Sequence, residues 1–191
     1  HMSFLMMAAH DTTTSTLSSM LYELGRHPEW QERARKESLA FGKDDIPFDE
    51  MNQFPVISLV MKETLRRYPP LPIIPRIALR DFEFKGYRVP AGSMVVISPL
   101  HSHGLNEWWD KPETFDPERF SEARAEDKRH THSYIPFGGG EHMCLGLRFA
   151  ETQVKIVLHH ILRRYRFTLE PGYTMPVQQA PISKPQDGLP L

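Results

Sequence analysis

Apolar residues recur at helical spacing over residues 4–25, at Phe4, Leu5, Leu17, Met20, Leu21 and Leu24. Gly25 is placed as a C-terminal cap, with Pro28 just beyond it. Residues 28–41 predict a second, charged helix, with a proline at its first position, Glu29 early and Arg and Lys later. Residues 56–68 predict a third, stopped by Pro69-Pro70, because a proline drives its predecessor out of the helical region. The apolar runs then shorten to Ile73-Ile74, Phe82-Glu83-Phe84, Tyr87-Arg88-Val89 and Met94-Val95-Val96-Ile97. They predict a small sheet with a hairpin near Lys85-Gly86. Residues 101–131 are polar and rich in turn formers. Residues 145–164 predict a long helix, apolar at Phe149, Val154, Ile156, Val157, Leu158, Ile161 and Leu162, and the tail from Pro171 reads as loop. Strand and helix do not alternate as a parallel sheet requires, so the expected class is mainly α with a small β-sheet region.

Composition narrows the functional classes. The 191 residues, 40% hydrophobic and 25% charged, suffice for one sizeable core. The formal net charge is −1, from 23 basic and 24 acidic residues, which argues against nucleic acid or an anionic membrane as the main partner. A single cysteine excludes an internal disulfide and suits a reducing cytosol. No signal peptide or membrane span is visible, so a cytoplasmic location is expected. His1-Met2 reads as a cloning scar ahead of an apolar helix pattern.

The chemistry concentrates at Phe137-Gly138-Gly139-Gly140-Glu141-His142-Met143-Cys144-Leu145-Gly146. Three consecutive glycines let the backbone adopt positive φ and pass close to a flat, bulky object. Cys144 follows just before a helix, whose first amides favour a negative sulfur. A thiolate presented this way suits an axial haem ligand. A buried structural cysteine or a catalytic nucleophile are the other readings, and both leave the glycines unexplained. A second feature is Glu63-Thr64-Leu65-Arg66. Residues three apart share a helix face, and Glu63, flanked by Leu59 and Val60, stands on an apolar one. A charge there needs a partner; the plainer reading is a surface ion pair.

These segments resemble the cytochromes P-450. The haem-binding signature Phe-x-x-Gly-x-(Arg or His)-x-Cys-x-Gly is matched in register by Phe137, Gly140, His142, Cys144 and Gly146. The resemblance implies that Glu63 and Arg66 join Arg119 of Pro117-Glu118-Arg119-Phe120 in a structural network. Ala8-Ala9-His10-Asp11-Thr12-Thr13 is similar to the family's oxygen-binding helix, with Ala9 where glycine is common. It implies that Asp11 and Thr12 relay protons. Arg76 stands where the family contacts a haem propionate, and His142 is a second candidate. Ile73, Ile74 and Ile77 border the expected haem face as candidate substrate contacts, with core packing in the small sheet expected for at least two of them.

The resemblance spans residues 1–191 as the C-terminal half of a haem-thiolate monooxygenase domain, a partial cytochrome P-450 fold. It implies haem b (iron protoporphyrin IX) with Cys144 as axial iron ligand, a small organic substrate, dioxygen, and a ferredoxin or flavoprotein electron donor docking near Arg148 and Lys155. The alternative is a truncated, catalytically silent chain, with or without haem, that self-associates through uncovered apolar faces of the first and last long helices.

Overall fold

The computed structural model describes residues 2–191, with side chains from Met6 onward. His1 and the side chains of Phe4 and Leu5, assigned above to a cloning scar and to an apolar stripe, lie outside the described residues. The chain is mostly helical with small antiparallel sheets. Four long helices build its core: α1 (Met2–Arg26), α2 (Pro28–Phe41), α3 (Pro55–Arg67) and, near the C-terminus, α5 (Leu147–Arg164). Between α3 and α5 run strands β1 (Ile74–Ile77), β2 (Phe82–Phe84), β3 (Tyr87–Val89) and β4 (Met94–Ile97), the single-turn helix α4 (Pro99–Ser102) and three 3₁₀ turns.

The core follows from spacing. Val154, Leu158 and Leu162, one helical turn apart on α5, are all fully buried. They meet Ile57, Val60, Met61 and Leu65 of α3, Met20 and Leu24 of α1, and Trp30 and Ala34 of α2. The expectation that α5 would show a broad uncovered face is therefore corrected. Ile156 and Ile161 are half-buried as well, and among the apolar residues named for this helix Val157 and, in its first turn, Phe149 remain open.

Polar side chains tie the helices at their ends. Gln31 of α2 donates to the carbonyls of Leu24 (3.1 Å) and Phe167 (2.9 Å), and its oxygen accepts from Phe167 N (3.1 Å). Glu37 accepts from the first amides of α3, Val56 (2.6 Å) and Ile57 (3.1 Å). It supplies the cap that Phe54 cannot give, and it places a negative charge at the positive end of the helix dipole.

Gly25 is not the helix cap expected from sequence. It lies within α1, and a Cβ there would stand 3.0 Å from Leu169 Cγ, so the glycine admits the C-terminal chain against the helix. The left-handed cap belongs to Gly42, after α2, at φ 74°. The strands form nested antiparallel pairs: β1 with β4, Ile74 opposite Ile97, and inside them β2 with β3, Phe84 opposite Tyr87. Lys85 (φ 48°) and Gly86 (φ 82°) make the two-residue turn.

The tail read as loop pairs as β5 (Val177–Gln178) and β6 (Lys184–Pro185). Two-residue strands are too short to show an alternation. Met175 and Leu189 beside them bury Tyr22 of α1. Among the described residues, no helix is long and apolar enough to cross a membrane.

One buried charge cluster joins α1 to α3. Glu23, fully buried, faces Arg67 Nε at 3.2 Å and His27 Nε2 at 3.4 Å. Neither contact has good hydrogen-bond geometry, so the attraction is mainly that of charges. Burial alone would raise the Glu23 carboxyl, yet the partners outweigh it and hold it below its ordinary value. His27 is raised above 6.5, chiefly by Glu23.

A raised folded pKa means that the protonated imidazole stabilises the fold fully below the unfolded value, and that this contribution is lost as pH climbs through the folded pKa. The melting temperature of the parent should therefore fall more steeply than that of His27→Gln as pH rises from about 6.5, the ordinary imidazole value, through the raised folded one. Parallel slopes would remove His27 from the cluster.

Candidate functional site

The segment 137–146 leaves the core and returns to it. Phe137 packs half-buried against the main core, and its carbonyl accepts the Cys144 amide at 2.9 Å. That bond closes the loop at its base. Gly138 N bonds Ile135 O (3.0 Å) and Met143 N bonds Gly140 O (3.2 Å), tightening it from within. Gly138 (φ 74°) and Gly140 (φ 69°) sit in the left-handed region, where other residues are strained. A Cβ on Gly139 or Gly140 would meet nothing within 4 Å, so the glycine run presents bare backbone to open space. A Cβ on Gly138 would come 4.0 Å from Ile74 Cδ1, which makes β1 the wall beside the loop.

The Cys144 thiol is exposed. Gly146 begins α5 with no side-chain cap and no acid in the first turn, which leaves the helix-start amides without a competing anion. Large apolar side chains near the thiol in the sequence, and at the β1 segment, are exposed. Leu145 is 103% exposed, Phe149 55%, Met143 51%, Ile73 54% and Ile77 56%. The expectation that two of the three isoleucines would be core is corrected. Strand alternation turns Ile74 and Arg76 to the covered face, and leaves Ile77 on the other. Arg76 is half-buried and donates to Pro75 O at 2.9 Å, while His142 is exposed. Neither pairs with a carboxylate among the described residues.

Asp11 and Thr12 lie on α1. Asp11 accepts from His10 Nδ1 (2.8 Å), and the Thr12 hydroxyl donates to Ala8 O (2.7 Å). Their turn of helix is braced by Thr13 to Gln153 of α5 (3.3 Å) and by Ser15 to the Ser183 carbonyl. No hydrogen bond or ion pair links Asp11 or Thr12 to the Cys144 loop among the described residues. Arg148 is largely exposed and pairs with Glu151 at 3.0 Å. Lys155 is not a free surface charge: its ammonium donates to Met51 O at 2.9 Å, and burial lowers its pKa.

Glu63, Arg66 and Arg119 meet in one network with side-chain exposures of 0–1%. Arg66 grips Glu63 with two bonds, Nε to Oε2 at 2.7 Å and Nη2 to Oε1 at 2.9 Å. Arg119 reaches the same carboxylate at 3.2 Å, and the Asp116 amide donates to it at 3.0 Å. The outer nitrogens of both arginines hold backbone. Arg66 donates to the His103 and Pro112 carbonyls, each at 2.7 Å. Arg119 donates to Lys111 O (2.8 Å), Thr114 O (3.0 Å) and the Asp110 carbonyl.

Sequence reasoning missed the fourth charge, Glu126, which is fully buried and lies 3.1 Å from Arg119 Nη1. It also missed His103, 1% exposed. Both stand in the stretch read as irregular, where neither periodicity nor a cap marks them.

A family model for Cytochrome P450 matches residues 1–189. The chain belongs to the cytochrome P450 family. "Putative cytochrome P450 136" of Mycobacterium tuberculosis is 45% identical over 192 residues, covering 100% of this chain and 39% of that protein. A sterol 14alpha-demethylase of Mycolicibacterium vanbaalenii is 39% identical over 167 residues, 86% of this chain and 37% of its own length. The solved structure of retinoic acid-bound cyanobacterial CYP120A1 superposes with a TM-score of 0.93 at 30% identity, over 99% of this chain and 44% of that one. The chain thus spans about two fifths of the relatives it matches.

The family implies a haem cofactor, and the donor set fits one. The thiol offers the sulfur an iron needs, the bare glycine backbone admits a flat ring, the exposed apolar side chains suit its faces, and the N–H groups of Arg76 and His142 suit its carboxylates.

The Glu63 network carries a prediction. Glu63→Ala leaves two buried guanidinium groups without their carboxylate, which costs about 3–5 kcal/mol. Urea denaturation should show that loss, while Arg148→Ala, at an exposed pair, should leave the midpoint unchanged. Equal midpoints for parent and Glu63→Ala would contradict the network's role.

Proposed function

We propose that this chain is the haem-binding, C-terminal half of a haem-thiolate monooxygenase, residues 1–191, with haem b held at Cys144. The exposed thiol that closes a bare glycine loop, with exposed Met143 and Leu145 on either side of it in the chain, carries this reading. Haem bound there would supply reductive activation of dioxygen and insertion of one oxygen atom into a small organic substrate.

The chain's own residues hold and orient. Cys144 would offer its sulfur to the iron, its backbone fixed by the hydrogen bond that its amide donates to Phe137 O. Gly140 leaves room above the loop, and Phe137 anchors its near end in the core. Arg76 would neutralise a propionate, and His142 would offer one a ring N–H. On α1 the Thr12 hydroxyl donates a hydrogen bond to Ala8 O and keeps its lone pairs free to accept one. Asp11, held by His10 at 2.8 Å, would pass protons from solvent towards Thr12. A ferredoxin or flavoprotein would deliver electrons, with Arg148, not Lys155, as the available basic contact.

Reduction under carbon monoxide tests the ligand. Thiolate ligation shifts the Soret band strongly to the red, and Cys144→Ala should abolish that band. An unchanged spectrum in the variant would overturn the assignment.

A second reading is self-association of the chain without turnover. The exposure of Leu145, Phe149, Met143, Ile73 and Ile77 favours it, since apolar surface gathered in one region drives association. Sedimentation equilibrium should give a mass above the 22.2 kDa monomer, reduced by Leu145→Asp. A monomer at micromolar concentration would remove this reading.

A further inference from the structure

His103 touches both the Glu63 network and the chain entering the Cys144 loop. The Ile135 amide donates to its Nε2 at 2.9 Å. A backbone N–H only donates, so Nε2 carries no proton and the ring proton lies on Nδ1. Nδ1 therefore donates to the Arg66 carbonyl at 3.1 Å. The Arg66 guanidinium answers by donating to the His103 carbonyl at 2.7 Å. The imidazole is 1% exposed. Burial pulls its pKa down to about 4, and the Arg66 charge acts in the same direction, so the ring stays neutral with one donor and one acceptor. Ile135 in turn accepts from Gly138 N (3.0 Å), and Phe137, two residues on, accepts from Cys144 N (2.9 Å).

We propose that His103 is a positioning residue for the sulfur ligand: it fixes the start of the Cys144 loop to α3 through Ile135 and Arg66, and so holds the thiolate where it can bind iron. This rests on Cys144 being that ligand. The Ile135 bond is the part that reaches the loop. An asparagine at 103 keeps a donor for Arg66 O but is too short for Ile135. A glutamine places an acceptor near the Nε2 position and restores the Ile135 bond while losing the donor.

The test compares the haem-loaded parent protein with His103→Asn and His103→Gln, reduced under carbon monoxide. In His103→Asn the ratio of red-shifted thiolate band to unshifted band should fall by roughly tenfold, the effect of leaving one buried N–H unpaired. His103→Gln should recover most of it, although each variant loses one bond and both should melt earlier than the parent. A parental ratio in His103→Asn, or equal losses in both variants, would overturn the proposal. A red-shifted band that survives Cys144→Ala would instead overturn the ligand reading. Should His103→Asn not fold, ¹⁵N spectra of the parent decide. A neutral Nδ1–H ring coupled to the Ile135 amide across the hydrogen bond is expected, and a protonated or Nε2–H ring overturns the proposal.

Discussion

A carboxylate buried on the apolar face of α3 is stable only when positive groups surround it, and the rest of the structure is arranged around that need. Glu63 has no exposure, and two guanidinium groups and one backbone amide reach it. Each arginine is planar and has more donors than one carboxylate can use. The surplus nitrogens take backbone carbonyls between His103 and Thr114. The charge pair thus organises a stretch that has little regular secondary structure of its own. Replacing a buried ion pair with apolar groups often costs nothing in stability. What this network contributes is position: it fixes a coil segment that helix or sheet ladders do not hold, and that segment leads to the Cys144 loop.

Order and openness are divided between two faces. On the α3 side the chain is dense with buried polar groups, and those of the Glu63 network are hydrogen-bonded. The Cys144 loop is bare: glycine backbone, an exposed thiol, and the side chains of Met143 and Leu145 left exposed among the described residues. Exposed apolar side chains of that kind suit a flat cofactor, and the same exposure opens Leu145 and Phe149 to association when they stand uncovered.

The helices were legible because their spacing is regular over many turns. Residues 28–41 and 56–68 lie within a residue of α2 and α3, and the Lys85-Gly86 hairpin announces itself through its turn residues. The cysteine loop was legible because three adjacent glycines have few other uses. Gly25 misled, since a glycine that ends a pattern and one that admits a neighbouring side chain look the same in sequence. The β5–β6 pair was too short to see. Glu126 and His103 were invisible for a different reason. Their partners lie in other segments, and a single histidine or glutamate in a polar coil carries no sign of the guanidinium or amide it will meet.

The central claim is that buried polar contacts, rather than secondary structure, fix the coil between α3 and the Cys144 loop. Native-state hydrogen exchange at the Asp116 and Ile135 amides tests it directly, because their acceptors are the Glu63 carboxylate and the His103 ring. Both amides should exchange only through global unfolding, with the same free energy as the core amides of α3. Exchange at the rate of an open loop, while α3 stays protected, would contradict the account.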